Sequence, residues 1–137
     1  MGRTDGGTWI TDELIHGYLE LHRLGWAHSV EVWEGEELVG GIYGIAVGGF
    51  FSGESMFHRR TDASKVAFFS LAWVLREAGF SLFDVQVPNA HLMSLGCVTV
   101  SRAEYLGLLG GALAREVRPL DQVVVGQEGV AGVLLRI

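Results

Sequence analysis

Between residues 28 and 57 the chain reverses twice with almost nothing to do it with. His28-Ser29-Val30-Glu31-Val32-Trp33-Glu34 alternates in the manner of a strand, with Val30 and Val32 on one face. A turn opens at Gly35, and Leu38 to Val47 forms a second apolar strand carrying Gly40, Gly41 and Gly44. Gly48-Gly49 turns the chain again into a third strand, Phe50 to Phe57. Connections this short join antiparallel neighbours, so the stretch is a meander. The glycines inside the second strand point to a bulge or to a close backbone approach.

The segments on either side set the class. Thr11 is a plausible N-cap, and Leu14, Ile15, Tyr18, Leu19 and His22 recur at helical spacing up to a stop at Gly25, which predicts a helix over about 11–24. After a loop at 58–62, Asp62 or Ser64 caps a second helix that runs to about Glu77 and ends at Gly79. It has so little polar face that burial on several sides is expected. Leu82 to Val87 is a fourth strand, and pairing beside the third makes the helix a crossover between parallel strands. His91 to Leu95 is a short helical turn. Ser101-Arg102-Ala103-Glu104 opens a helix to about Leu113 with a capping box. Val123 to Leu135 reads as a terminal hairpin. The order is that of an α+β domain with a mixed sheet, one domain over 1–137.

Composition excludes several functions. At 49% hydrophobic and 19% charged residues the chain belongs with globular domains. One cysteine, Cys97, rules out an internal disulfide, and nothing favours an oxidising compartment. The first residues lack the apolar region of a signal peptide and no run is long enough to span a membrane, so a cytoplasmic protein with no membrane partner is expected. A net charge of −6 gives no general electrostatic support for nucleic-acid binding.

Glu54 is the most informative polar residue. It sits among Phe50, Phe51, Met56 and Phe57, where a carboxylate is costly unless a cation or donor meets it. It either recognises a substrate amino group or pairs with Lys65 or an arginine. Asp84 and Gln86 are two apart on the predicted fourth strand and so share a face, which is either functional or simply solvated. The five histidines show no metal-ligand spacing. Cys97 has no activating partner and reads as a buried structural thiol. Gly40 to Gly44 is no dinucleotide fingerprint, since no helix follows. Arg59-Arg60 reads as surface charge before a helix N-terminus.

Several blocks, in order, resemble the leucyl/phenylalanyl-tRNA–protein transferase family: Gly7-Thr8-Trp9-Ile10-Thr11, Gly25-Trp26-Ala27-His28-Ser29, Gly53-Glu54-Ser55-Met56-Phe57, Ala63-Ser64-Lys65, Asp84-Val85-Gln86-Val87 and His91-Leu92-Met93-Ser94-Leu95-Gly96. The similarity spans about 7–109. It implies an acetyltransferase-like (GNAT) core and transfer of leucine or phenylalanine from an aminoacyl-tRNA to the N-terminal arginine or lysine of a protein, marking it for degradation. No metal or redox cofactor is implied. By position, Glu54 would hold the amino group of the aminoacyl moiety, and Asp84 and Gln86 would orient and deprotonate the attacking amine. Trp9 and Tyr18 would place the terminal adenosine. Ile42, Phe51, Met56, Phe68, Leu71, Leu75 and Phe83 would line the side-chain pocket, which suits unbranched or γ-branched groups. Alternation alone sets Phe83 opposite Asp84. The chain looks like a short form without the family's usual basic N-terminal domain, and the tail from about 114 is atypical. Two other readings fit the residues: an acyl-CoA-dependent GNAT acyltransferase, disfavoured because the loop before the second helix has no glycine, and a non-catalytic module that binds basic protein N-termini.

Overall fold

A computed structural model describes residues 11–123 and the backbone of 133–136. Helix α1 (Asp12–Arg23) leads into strands β1 (Ala27–Glu34), β2 (Glu37–Val47) and β3 (Phe50–His58). Helix α2 (Ala63–Ala78) carries the chain to β4 (Leu82–Asp84), then come α3 (Ala90–Ser94) and α4 (Arg102–Leu113), a single 3-10 turn at Leu120–Gln122, and β5 (Val133–Arg136). The sheet order is β4-β3-β2-β1-β5, antiparallel throughout except for the parallel β3–β4 pair. This is a mixed-sheet α+β domain, with α2 as the crossover.

Local chemistry fixes the ends. Thr11 accepts from the Leu14 amide and caps α1, Asn89 caps α3 through the Leu92 amide, and Ser101 caps α4 through the Glu104 amide. Helix α2 starts differently. Asp62 occupies its cap position in the left-handed region (φ 66°), and its side chain makes no capping bond, pairing instead with Lys65 at 3.1 Å. Neither Asp62 nor Ser64 is the expected side-chain cap; Ser64 is buried inside the first turn.

The core lies between α2 and one face of the sheet. Val30, Val32 and Ile42 face Ala67, Phe68, Leu71, Val74 and Leu75 of α2, with Phe51 fully buried. Removing each large side chain from water contributes about 1.5–3 kcal/mol. Contrary to expectation, α2 buries one stripe only. Phe69 and Trp73, four residues apart on the outward side, are exposed beside Lys65 and Arg76. Tyr43 alternates with Ile42 and so leaves the sheet on the opposite face, where Tyr18 of α1 meets it edge-on at 5.3 Å. Helices α1 and α2 therefore flank the sheet from its two sides.

One departure shapes the site. The fourth strand ends at Asp84 rather than Val87, because β3 and β4 pair only from Phe50↔Leu82 to Ser52↔Asp84. Beyond that point β3 keeps β2 on one side and has no strand on the other. Of the expected terminal hairpin the second arm pairs with β1, from Glu31↔Arg136 to Glu34↔Val133, and residues 124–132 lie outside the described residues.

The register of β3 against β2 steps from Gly44↔Gly53 to Tyr43↔Ser55, which leaves Glu54 as the extra, unpaired residue of a β-bulge. Gly44 makes the bulge possible. A methyl group there would overlap the Ser52 carbonyl oxygen and stand 2.6 Å from the Phe51 ring. Gly44→Ala should therefore destabilise the fold by about 1–3 kcal/mol. Urea unfolding with an unchanged slope and a lower midpoint is the expected result; a wild-type midpoint would show that the bulge is free to shift.

Candidate active site

The bulge turns Glu54 out of the regular alternation at the point where β3 loses its β4 neighbour. Its half-buried carboxylate is met by neutral donors. Ser52 Oγ donates to Oε1 at 3.1 Å and Gln86 Nε2 donates to Oε2 at 3.3 Å, and the Tyr18 phenol stands close enough to be raised by the Glu54 charge. Neither Lys65 nor an arginine forms the expected alternative ion pair. Among the described residues Lys65 pairs with Asp62, Arg23 with Glu20, and Arg60 with Glu34 and Glu37, and none pairs with Glu54.

Asp84 and Gln86 do come together, although not by strand alternation. The strand has ended, and Gln86 lies in the left-handed region (φ 69°), which costs a residue with a side chain about 1–2 kcal/mol. Asp84 Oδ1 accepts the Gln86 amide at 2.7 Å and holds this turn. The turn swings Gln86 across the gap to β3, where Nε2 donates to the Gly53 carbonyl at 2.9 Å as well as to Glu54. Asp84 Oδ2 accepts the Tyr105 hydroxyl of α4 at 2.6 Å. A continuous chain of hydrogen bonds thus runs Tyr105–Asp84–Gln86–Glu54–Ser52.

Two cavities open on this chain. The smaller, about 210 Å³, is lined by Ile42, Met56, Phe68, Val85, Val87 and Leu92, with Glu54, Gln86 and Asn89 among its polar edges. The larger, about 950 Å³, shares Phe68, Val85, Gln86 and Leu92 and adds Phe83, Asp84 and Tyr105. Three expected lining residues are placed elsewhere. Phe51, Leu71 and Leu75 are core residues, 0%, 1% and 3% exposed, and line neither cavity. They form the layer that fixes α2 to the sheet. Phe83 stacks on Phe68 at 5.4 Å and meets Phe51 edge-on at 5.7 Å, which joins that layer to the larger cavity. Tyr18 stands against Glu54 and Tyr43, and Trp9 lies outside the described residues.

The neighbouring titratable groups are explained by packing. Burial, with the Glu54 charge next, pushes the Tyr18 and Tyr43 phenols up. The hydrogen bond to Asp84 is the main cause that raises Tyr105. His22 and His28 serve the α1–β1 junction: His22 Nδ1 lies 2.8 Å from the Ala27 carbonyl and His28 Nε2 lies 2.9 Å from the Gly25 carbonyl. Cys97 is half-buried on the larger cavity, and burial pushes its thiol up. Arg60 spends its charge on surface glutamates. Among the described residues no helix is long and apolar enough to cross a membrane.

Sequence reasoning missed Tyr43 and Tyr105. Tyr43 was legible in part, as the residue alternating with Ile42. Tyr105 carries no sequence signal, because its partner is 21 residues away and on another element.

Fold and cleft together define an α+β domain with a polar-ended apolar pocket at a splay in its sheet. The sequence model of the leucyl/phenylalanyl-tRNA protein transferase family matches residues 2–110, and the chain belongs to that family. It is 53% identical over 120 residues to the leucyl/phenylalanyl-tRNA–protein transferase of Pseudoalteromonas atlantica, which covers 88% of this chain and 50% of the relative. The transferase of Shewanella frigidimarina is 57% identical over 106 residues (77% and 45%), and that of Chlorobium limicola 51% identical over 110 residues (80% and 57%). The chain spans about half the length of the curated relatives it matches.

The three tyrosines of the chain should all titrate above their ordinary value of about 10. A raised phenol favours the folded state below the unfolded value, and that contribution is lost as pH rises through the folded value. Glu54→Gln should lower the Tyr18 and Tyr43 values and leave Tyr105 in place. NMR titration of ring-labelled tyrosine reads this directly; a Tyr18 value unmoved by the substitution would contradict the Tyr18–Glu54 contact.

Proposed function

We propose that the cleft is the acyl-transfer site of an aminoacyltransferase that moves leucine or phenylalanine from an aminoacyl-tRNA to the N-terminal arginine or lysine of a protein, in the N-degron pathway. The observation that carries this is a half-buried carboxylate met only by neutral donors among the described residues, at the mouth of an apolar pocket. A charge so placed calls for a cation. An aminoacyl ester offers one, an ammonium group next to an apolar side chain. The ammonium takes Glu54, and the side chain enters the 210 Å³ pocket between Ile42, Met56 and Phe68. A pocket of this kind distinguishes single methylene changes by only about 1–3 kcal/mol.

The reaction forms one C–N bond and breaks one ester C–O bond. The acceptor amine attacks the ester carbonyl carbon and loses a proton, and the 3′ oxygen of the tRNA leaves and gains one. Gln86 is committed through Nε2 to Gly53 and Glu54, so its Oε1 orients the attacking amine. Asp84, tied to Gln86 through the turn, accepts the proton. The acceptor N-terminus approaches through the larger cavity, which reaches both residues. This division needs no metal or redox group. Tyr18 stands on the Glu54 side, where an aromatic face suits the terminal adenosine, and Trp9 is assigned the same role by its place in the sequence alone.

The meander, crossover helix and parallel fourth strand support an acetyltransferase-like fold for the domain. Use of acyl-CoA is less well supported. The α2 N-terminus, where a pyrophosphate would gain from the helix dipole, presents the Asp62 carboxylate and no glycine.

Transfer of labelled leucine from Leu-tRNA to an Arg-initiated peptide tests the reading. Low salt favours tRNA contacts in a chain of net charge −6. Glu54→Ala should abolish use of the aminoacyl donor, and Asp84→Asn should slow transfer by about 10²–10⁴-fold. Full activity in both variants would sink the proposal. Saturable acetyl-CoA binding by calorimetry would favour the CoA reading.

A further inference from the structure

Tyr105 reaches the cleft from an element with little other hold on the domain. Of α4 only Ala112 is buried, while Leu106, Leu108 and Leu113 are exposed. Tyr105 is half-buried by comparison, one turn after the Ser101 cap, and its amide bonds back to the Ser101 carbonyl at 2.9 Å. The cap therefore fixes where the phenol points.

The hydroxyl occupies the Asp84 oxygen that the Gln86 turn leaves over. Oδ2 accepts from Tyr105 at 2.6 Å and Oδ1 accepts the Gln86 amide at 2.7 Å. A carboxylate bound through one oxygen can still rotate about its broad terminal torsion. Bound through both, from two different elements, it cannot rotate without breaking a bond. This matters because Gln86 sits in a backbone region disfavoured for any residue with a side chain, and such a conformation persists only where its surroundings determine it.

We infer that Tyr105 is a positioning residue: through its hydroxyl it locks Asp84, which sets the Gln86 turn and holds the Gln86 amide beside Glu54. The inference rests on the reading of Asp84 and Gln86 given above. It makes α4 part of the transfer machinery although α4 need touch no substrate. The ring alone could anchor α4 by packing; the hydroxyl is what the inference concerns.

Tyr105→Phe removes only that hydroxyl. In the 137-residue chain, NMR should show the Gln86 backbone and Nε2 resonances moving while those of β1 and β2 hold and the thermal midpoint stays near wild type. Under transfer conditions kcat should fall about tenfold, as for one lost hydrogen bond, with KM for the aminoacyl-tRNA unchanged. In an Asp84→Asn background the same substitution should add nothing further. Stationary Gln86 resonances would overturn the inference. So would shifts spread over α4 and β4 with a drop in midpoint, or moved resonances with an unchanged kcat, since Tyr105 would then only anchor its helix. Transfer that survives Asp84→Asn would instead remove the proposed role of Asp84, an outcome separate from the Gln86 signal. That signal needs no turnover, so it decides the positioning even in a protein that transfers nothing.

Discussion

The site depends on one constraint: the Glu54 carboxylate is held partly out of water with no cation paired to it among the described residues. The bulge achieves the placement. Because Glu54 has no partner on β2, its side chain escapes the strict in-and-out order of the strand and reaches the edge that β4 leaves open. Ser52 and Gln86 then supply donors without supplying charge. Hydrogen bonds offset much of the desolvation cost, and the uncompensated charge remains available to a ligand.

The gap between β3 and β4 is the counterpart of that carboxylate. Had β4 continued to Val87 in register, its backbone would have filled the space the small pocket occupies, and Gln86 would have pointed along the strand normal. The early end at Asp84 and the left-handed turn at Gln86 open the cleft and bridge it in one movement. Helix α2 provides the floor. Phe68 belongs at once to the core and to both cavity walls, so pocket shape and fold stability are linked at a single residue. On the far face, Tyr18 of α1 against Tyr43 closes Glu54 from the other side.

Much of this was legible from the residues. Gly35 and Gly48-Gly49 gave the meander, and Thr11 and Ser101 mark helix starts that the structure places within a residue or so of expectation. The crossover helix was placed correctly, but its burial was overestimated. Hydrophobicity alone does not say that Phe69 and Trp73 fall on the outward stripe; helical spacing from Leu71 and Val74 does. Asp84 and Gln86 were rightly set side by side for a reason that failed: the spacing of two was meaningful as a turn rather than as a strand. Leu71 and Leu75 are placed in the core, and pocket and core draw on the same residue types.

The sequence by itself determined the class of fold, the family and the identity of the polar residues at the cleft, because turn glycines, caps and motif blocks act over a few neighbouring residues. Only the tertiary structure decided how those residues meet. The bulge at Glu54 depends on register across strands, the early end of β4 on competition between pairing and the Asp84 turn, and the Tyr105–Asp84 bond on where α4 packs. Each is a contact between segments far apart in the chain, and no local pattern encodes the distance between them.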